Sequence, residues 1–345
     1  MEELQWWCDC LPHANGKKLV VAAPDVVIQT DASKINRSGW GATRGLQTAG
    51  GRWTTAERQL HINALELKAA TFGVQSFAKD LTRGHIVIQT DNAVTVAYIN
   101  KMGGNNSRLL CSLAQDLWSW CIQRQLTVAA EYLRGALNTV ADFFSRHHVD
   151  NSNWRLLPRV FQDIQQSWEA PCTFDLFAST TNQQLQWYAS WRPDPGATAV
   201  DALSLDWAEV QGYAVPPFSL IGRCVQKLQR QQVPCLVLVA PLWTGQPWFP
   251  LLLQTAISPP RLLPAEPELL TDPTGQIHPL IQAGTLHLAA WMLSGNVSTV
   301  RTFQRQLARS YLPHGGGQQS GTTPQPLDSG VAGAVNRVTI PLLPL

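Results

Sequence analysis

The sequence predicts an α/β protein: a mixed sheet with helices packed on it, followed by a second α/β domain. Three observations carry this. Two nearly identical β-branched strands, Val26-Val27-Ile28-Gln29-Thr30-Asp31 and Ile86-Val87-Ile88-Gln89-Thr90-Asp91, both end in aspartate. Helix-period segments alternate with strand-period ones, as a sheet flanked by helices requires. The 345 residues are 45% apolar and only 14% charged, enough to bury the cores of about two domains.

After Asp31 and a polar turn, Ser38-Gly39-Trp40-Gly41-Ala42 reads as the partner strand of a hairpin. From His61 to about Lys79 the pattern is helical, with Leu65, Ala69, Phe72 and Phe77 on the buried side. Asn63 and Glu66, three apart, share another face. The second aspartate-ended strand leads into a helix from Ala93 to Lys101 and a Gly103-Gly104-Asn105-Asn106 break. A long helix from about Ser107 to Gln123, a strand from Thr127 to Leu133, a turn at Gly135 and a helix opening near Asn138 complete this half. The polar stretch Val149 to Asn153 reads as a linker. Beyond it, the best strands are Thr173 to Phe177 and Leu236 to Ala240, the latter after a helix from Leu220 to Gln231. From Pro313 onward the Gly-, Gln-, Ser- and Pro-rich composition predicts a disordered tail.

Lys+Arg 26 against Asp+Glu 24 leaves a formal charge of +2, which excludes both a strong polyanion binder and an acidic tail protein. Any nucleic-acid contact must therefore come from local patches. Of the seven cysteines, only Cys8 and Cys10 are close in sequence; Cys111, Cys121, Cys172, Cys224 and Cys235 are scattered, with no zinc spacing. Reduced thiols in an intracellular protein, nuclear or cytoplasmic, are the expectation. The acidic, tryptophan-bearing start does not resemble a signal peptide, and no apolar run approaches the roughly 18 residues of a membrane span.

Two strands ending in aspartate place both carboxylates at one sheet edge if the strands are neighbours. Glu66 from the following helix and Asp142 near the start of a later one would add two more hard oxygen donors, the ligands that Mg²⁺ or Mn²⁺ prefers. Taken alone, Thr139-x-x-Asp142 also reads as a capping box.

Five motifs in order over this half resemble the RNase H domain of retroelement polyproteins, most closely those of DIRS-type (tyrosine-recombinase) retrotransposons. They are Thr30-Asp31-Ala32-Ser33, Gly39-Trp40-Gly41-Ala42, His61-Ile62-Asn63-Ala64-Leu65-Glu66-Leu67, Thr90-Asp91-Asn92 and Gly135-x-x-Asn138-x-x-Ala141-Asp142-x-x-Ser145-Arg146. The resemblance implies an RNase H-like mixed sheet over residues 20–148 and cleavage of the RNA strand of RNA–DNA hybrids. It implies two Mg²⁺, or Mn²⁺, on Asp31, Glu66, Asp91 and Asp142. Asn63 would touch the 2′-hydroxyls of the RNA strand, and Ser33 and Asn92 are further nucleic-acid candidates that also read as local caps. Cellular members often carry a histidine shortly before the fourth carboxylate; here none lies between His85 and His147. Leu4-Gln5-Trp6-Trp7 resembles the last connecting segment of such a polyprotein's reverse transcriptase, so residues 1–19 read as a remnant of that connection and a reverse transcriptase as a partner.

In the second half, Phe174-Asp175-Leu176-Phe177-Ala178-Ser179-x-x-Asn182, Asp201-Ala202-Leu203 with Trp207, Val215-Pro216-Pro217-Phe218 and Val237-Leu238-Val239-Ala240-Pro241 resemble a phage Dam-type adenine-methyltransferase domain. That implies a Rossmann-like domain over 171–312, after a linker and helix over 149–170 and before the tail over 313–345. It also implies S-adenosylmethionine near Asp175, Asn182, Pro216, Pro217 and Phe218. The residue before Pro-Pro-aromatic is normally Asp or Asn and accepts hydrogen bonds from the target amine. Here it is Val215, which argues against methyl transfer. Two alternatives to the nuclease reading stay open at this point: a nucleic-acid-binding remnant without turnover, and a DNA adenine methyltransferase.

Overall fold

The computed structural model describes residues 5–9, 23–34, 39–147, 154–168, 172–310, 327, 330–336 and 338–345. The chain forms two compact units, residues 1–150 with 192–196 and residues 151–191 with 197–345. No helix among the described residues is long and apolar enough to cross a membrane.

In the first unit, β1 (Val26–Ser33), β2 (Gly39–Arg44) and β3 (Gln47–Arg52) form an antiparallel meander. Helix α1 (Ile62–Phe77) then crosses to β4 (His85–Thr90), which lies parallel to β1. Helices α2 (Ala93–Asn100) and α3 (Arg108–Gln123) precede β5 (Thr127–Tyr132), parallel to β4, and α4 (Thr139–Arg146) closes the unit. The sheet order is β3-β2-β1-β4-β5. This is the RNase H-like mixed sheet with flanking helices that the motifs imply.

Strand alternation divides β1 between two layers. Val26, Ile28 and Thr30 are buried toward α1, while Val27 is exposed and Gln29 half-buried on the other face. Ile28, Leu65, Leu67, Val74, Ile86, Ile88, Ile99 and Leu117 are fully buried, each contributing roughly 1.5–3 kcal/mol. Helix α1 is buried on more sides than a simple amphipathic stripe because it packs on the sheet and against α3. Phe72, expected inside, is instead half-buried against the cluster beside Trp40 and Trp53.

The second unit opens with β6 (Arg155–Leu156) and α5 (Pro158–Trp168). Strands β7 (Phe174–Asp175), β8 (Trp187–Ser190), β9 (Ala199–Val200) and β10 (Gly212–Ala214) lead through α6 (Ile221–Arg230) to β11 (Leu236–Pro241). Helix α7 (Phe249–Thr255), β12 (Arg261–Leu262), β13 (Leu270–Thr271), β14 (Leu288–Leu293) and α8 (Val297–Ser310) follow. The large sheet runs β17-β12-β14-β11-β10-β7-β8-β9, where β17 is Leu343–Pro344. Strands β11, β10, β7, β8 and β9 are mutually parallel and β14 antiparallel. Chain order reverses between β7 and β10, a switch point where doubly wound sheets hold ligands.

Two expectations need correction. The strand expected over Thr173 to Phe177 shrinks to Phe174–Asp175, because the Asp175 carboxylate pulls the next residues into a loop. The tail expected to be disordered over 313–345 is ordered at its end. There β15 (Val331–Val335) and β16 (Val338–Pro341) form an antiparallel pair, with Ala332, Ile340 and Leu342 buried in the core of the unit. The part of the tail over 313–326, the linker residues 149–153 and Leu4 lie outside the described residues. Trp6 of the proposed remnant is described, and its indole donates to the Ser119 hydroxyl at 3.0 Å.

Candidate metal centre

Parallel pairing of β1 with β4 runs in register, Val26 opposite Ile86 through Gln29 opposite Gln89. Asp31 and Asp91 therefore lie at the same end of the sheet and on the same face. Asp31 is still paired with Gly41, because β1 runs on to Ser33 and does not end at the aspartate as expected, and Asp91 stands just past β4. Helix α1 starts beside them, its first turn capped by the His61 imidazole, which accepts from the Asn63 amide at 3.2 Å. One carboxylate oxygen each from Asp31, Glu66 and Asp91 lies within 4.8 Å of the others.

Burial sharpens the repulsion in this cluster. Asp31 and Glu66 are each 5% exposed, and Asp31 Oδ2 and Glu66 Oε2 are buried without a hydrogen-bond partner among the described residues. Burial first, then the charges of Asp31 and Asp91, pushes the Glu66 carboxyl up to about 9. Burial likewise raises Asp31 to about 6, aided by the charges of Asp142 and Asp91 and opposed by the Ser145 hydroxyl and the Arg146 charge. Orphaned oxygens and closely spaced like charges fit a hard divalent cation, which would satisfy both at once.

Asp142 is not part of that converging group. It stands in the first turn of α4 and its Oδ1 receives Arg146 Nε at 2.7 Å and Nη2 at 2.5 Å. The capping box read at Thr139 does not form: Asn138 is the N-cap, with no side-chain cap bond. Asn138 instead is fully buried and donates from Nδ2 to the Thr30 carbonyl at 3.0 Å, tying the start of α4 to β1 beside Asp31.

The nucleic-acid candidates divide. Asn92 caps α2, accepting from the Thr95 amide at 2.9 Å, and donates to Asn63 Oδ1 at 3.0 Å, so these two amides form one half-buried pair beside the carboxylates. Ser33 is buried at the end of β1, and its carbonyl accepts from the Trp53 indole at 3.1 Å. Ser145, Arg146 and Gly135 received no role from the sequence, although the spacing Asp142-x-x-Ser145-Arg146 puts Ser145 and Arg146 on the helix face of Asp142.

Asp175 and Asn182 of the second unit spend their polar atoms on the chain. Asp175 accepts from the Phe177 amide at 3.4 Å and the Gln184 amide at 3.1 Å, and burial lifts its carboxyl to about 7. Asn182 accepts from the Ser179 amide at 2.7 Å and donates to the Trp154 carbonyl at 3.2 Å. Pro216, Pro217 and Phe218 follow β10, with Val215 packed against apolar neighbours and the Phe218 ring edge-on to Trp243 at 5.1 Å. These residues do not fit S-adenosylmethionine: the polar ones are committed to holding their own loop, and Val215 offers no acceptor.

No family model matches the chain. Among solved structures it is similar to the N-terminal RNase H domain of a Mycobacterium tuberculosis protein fused to maltose-binding protein. That match is 20% identical, covers 36% of this chain and 91% of that one, and has a TM-score of 0.29. LC11-RNase H1 in complex with an RNA/DNA hybrid is 12% identical over 37% of this chain and 99% of its own, with a TM-score of 0.31. The chain is also similar to the enzymatic polyprotein of cauliflower mosaic virus, strains CM-1841 and BBC, at 29% identity over 132 residues. That match covers 35% of this chain and 19% of the length of either polyprotein.

Proposed function

We propose that the first unit is an RNase H-type endonuclease that cleaves the RNA strand of RNA–DNA hybrids with Mg²⁺ or Mn²⁺ as its cofactor. One observation carries the reading: the convergence of Asp31, Glu66 and Asp91 at one end of a mixed sheet, with buried oxygens left without partners among the described residues. Asp142 is the proposed fourth carboxylate. Two such ions, when bound, would polarise the attacking water and neutralise the leaving oxygen of a phosphodiester.

The chain's own residues do the rest. Asp31, Glu66 and Asp91 hold their oxygens in place from a rigid sheet end and helix, so little geometric reorganisation is needed to receive the cations, whose binding would displace the Glu66 proton. The hydrogen-bonded pair Asn63 and Asn92 presents amide groups beside them, suited to the 2′-hydroxyls and base edges of an RNA strand in the minor groove. With a chain charge of +2, affinity for hybrid is modest, and a reverse transcriptase is the partner that would raise it. The motif spacing supports an origin in a reverse-transcribing element of the DIRS type. The second unit is proposed as a doubly wound relative of Dam-type methyltransferases that has lost methyl transfer at Val215.

Purified protein incubated with an end-labelled hybrid and Mg²⁺ tests the reading. Cleavage of the RNA strand that disappears in Asp91→Asn is the expected result. An intact hybrid with the unsubstituted protein would overturn it.

A further inference from the structure

The sequence suggests four carboxylates for one site; in the structure three converge, while the fourth, Asp142, lies near enough for its charge to act on Asp31 but outside the mutual contact of the three. Asp31, Glu66 and Asp91 converge, and Asp142 is held by a cation from its own helix. Both contacts from Arg146, through Nε and Nη2, fall on the single oxygen Oδ1 of Asp142. Aspartate N-terminal to arginine at i, i+4 is the favourable orientation for such a pair. Ser145 fixes the turn between them: it is fully buried, and its hydroxyl, which donates to the Asp142 carbonyl at 2.9 Å, sits beside the Asp31 carboxyl. The helix backbone thus stays anchored at the cluster while the Asp142 carboxylate points at Arg146.

The ion pair is weak enough to yield. The Arg146 side chain is 56% exposed and that of Asp142 40%, and exposed i, i+4 pairs are easily broken by a competing charge. We propose that Arg146 is a positioning residue that occupies Asp142 at the margin of the carboxylate cluster, so that one divalent cation binds the preassembled three and a second must compete with Arg146 for Asp142. The proposal rests on the nuclease reading above. It adds that the two cation positions are unequal before any substrate arrives, and that Arg146 sets the difference.

Calorimetric titration of the full chain with Mn²⁺, in the absence of nucleic acid, tests it. The unsubstituted protein is expected to show a tighter and a weaker site. Arg146→Gln, a change at an exposed side chain, should tighten the weaker site about two- to threefold, the scale of an exposed i, i+4 pair, and shift the tighter one, which feels Arg146 only through its charge on Asp31, by clearly less. Asp142→Asn should abolish the weaker site alone. An equal shift at both sites in Arg146→Gln would mean that Arg146 acts only through its distant charge, which overturns the proposal. A single affinity that neither substitution changes would also overturn it while leaving the nuclease reading standing. No Mn²⁺ binding by the unsubstituted protein would remove both.

Discussion

Gly135 lies so close to Asp91 that a β-carbon on it would come 2.9 Å from Oδ2. Gly135 opens the short 3₁₀ turn Gly135–Leu137 between β5 and α4, so the segment leading to the fourth carboxylate braces the third. Its φ is not positive, so alanine is tolerated by the backbone, and the carboxylate side chain is what must give way. A displacement of about 1 Å at a reacting centre can cost on the order of a hundredfold in rate. Gly135→Ala should therefore reduce hybrid cleavage by roughly 10- to 100-fold with the melting temperature held, and unchanged cleavage would show that Asp91 does not need this brace.

The raised carboxyl of Glu66 makes a statement about stability. Its ordinary value is 4.5 and the folded value about 9, so between them the folded chain keeps a proton that the unfolded chain has lost. Stability of the cation-free protein should then fall as pH rises through that window, by at most about 1.4 kcal/mol per pH unit. Asp31 adds a slope of the same sign between 3.8 and about 6. Glu66→Gln removes the larger effect, so its denaturation midpoint in chelator should be nearly flat between about pH 7, above the raised Asp31 and Asp175 carboxyls, and about pH 9. Mg²⁺ should displace the Glu66 proton and stabilise the unsubstituted protein more as pH rises.

How much of this could be read from the residues alone follows from the range of the interactions. Asp31 and Asp91 were legible because a β-branched run with a terminal aspartate is a local pattern, and its repetition hinted at neighbouring strands. The pairing of β1 with β4 itself is set by contacts about 60 residues apart, which no local pattern encodes. Asp142 was legible as a carboxylate near the helix start but not in its orientation: Thr139-x-x-Asp142 suggests a bond backward to the cap, whereas Arg146 draws the side chain forward. The hairpin of β15 and β16 was hidden because composition, averaged over a Gly- and Gln-rich stretch, hides the short apolar segments around Ala332 and Ile340 that pack on the core.

Gly41 shows why the Gly39-Trp40-Gly41-Ala42 motif carries glycine at its third position. A β-carbon there would sit 2.2 Å from the Ala141 carbonyl oxygen and 2.6 Å from the Ser145 amide nitrogen, both backbone atoms that cannot step aside. The residue lets α4 lie directly on β2, which sets Asp142, Ser145 and Arg146 beside the three converging carboxylates. Gly41→Ala should cost about 3 kcal/mol, the upper end for overpacking, in denaturant unfolding. It should also speed amide exchange in α4 more than in α1. Equal protection of α4 in both proteins would mean that the helix is held by something other than this contact.

Asp175 is the corresponding test in the second unit, because the same residue is either a cofactor ligand or the pin of its own loop. The carboxylate accepts the Phe177 and Gln184 amides, and the Gln184 side chain in turn donates to the Leu156 carbonyl at 2.5 Å, linking the loop to β6. Removing a buried acceptor leaves its donors unpaired at about 1–3 kcal/mol each. Asp175→Ala should therefore destabilise this unit by roughly 2 kcal/mol or more, measured by denaturant unfolding with the tryptophan signal. A ligand role predicts something different: saturable heat when S-adenosylmethionine is titrated into the unsubstituted chain, lost on substitution. With Val215 in place of an acceptor and Asn182 bonded to Ser179 and Trp154, we expect no saturable heat in either protein. Saturable binding by the unsubstituted chain would return the cofactor to the switch point between β7 and β10.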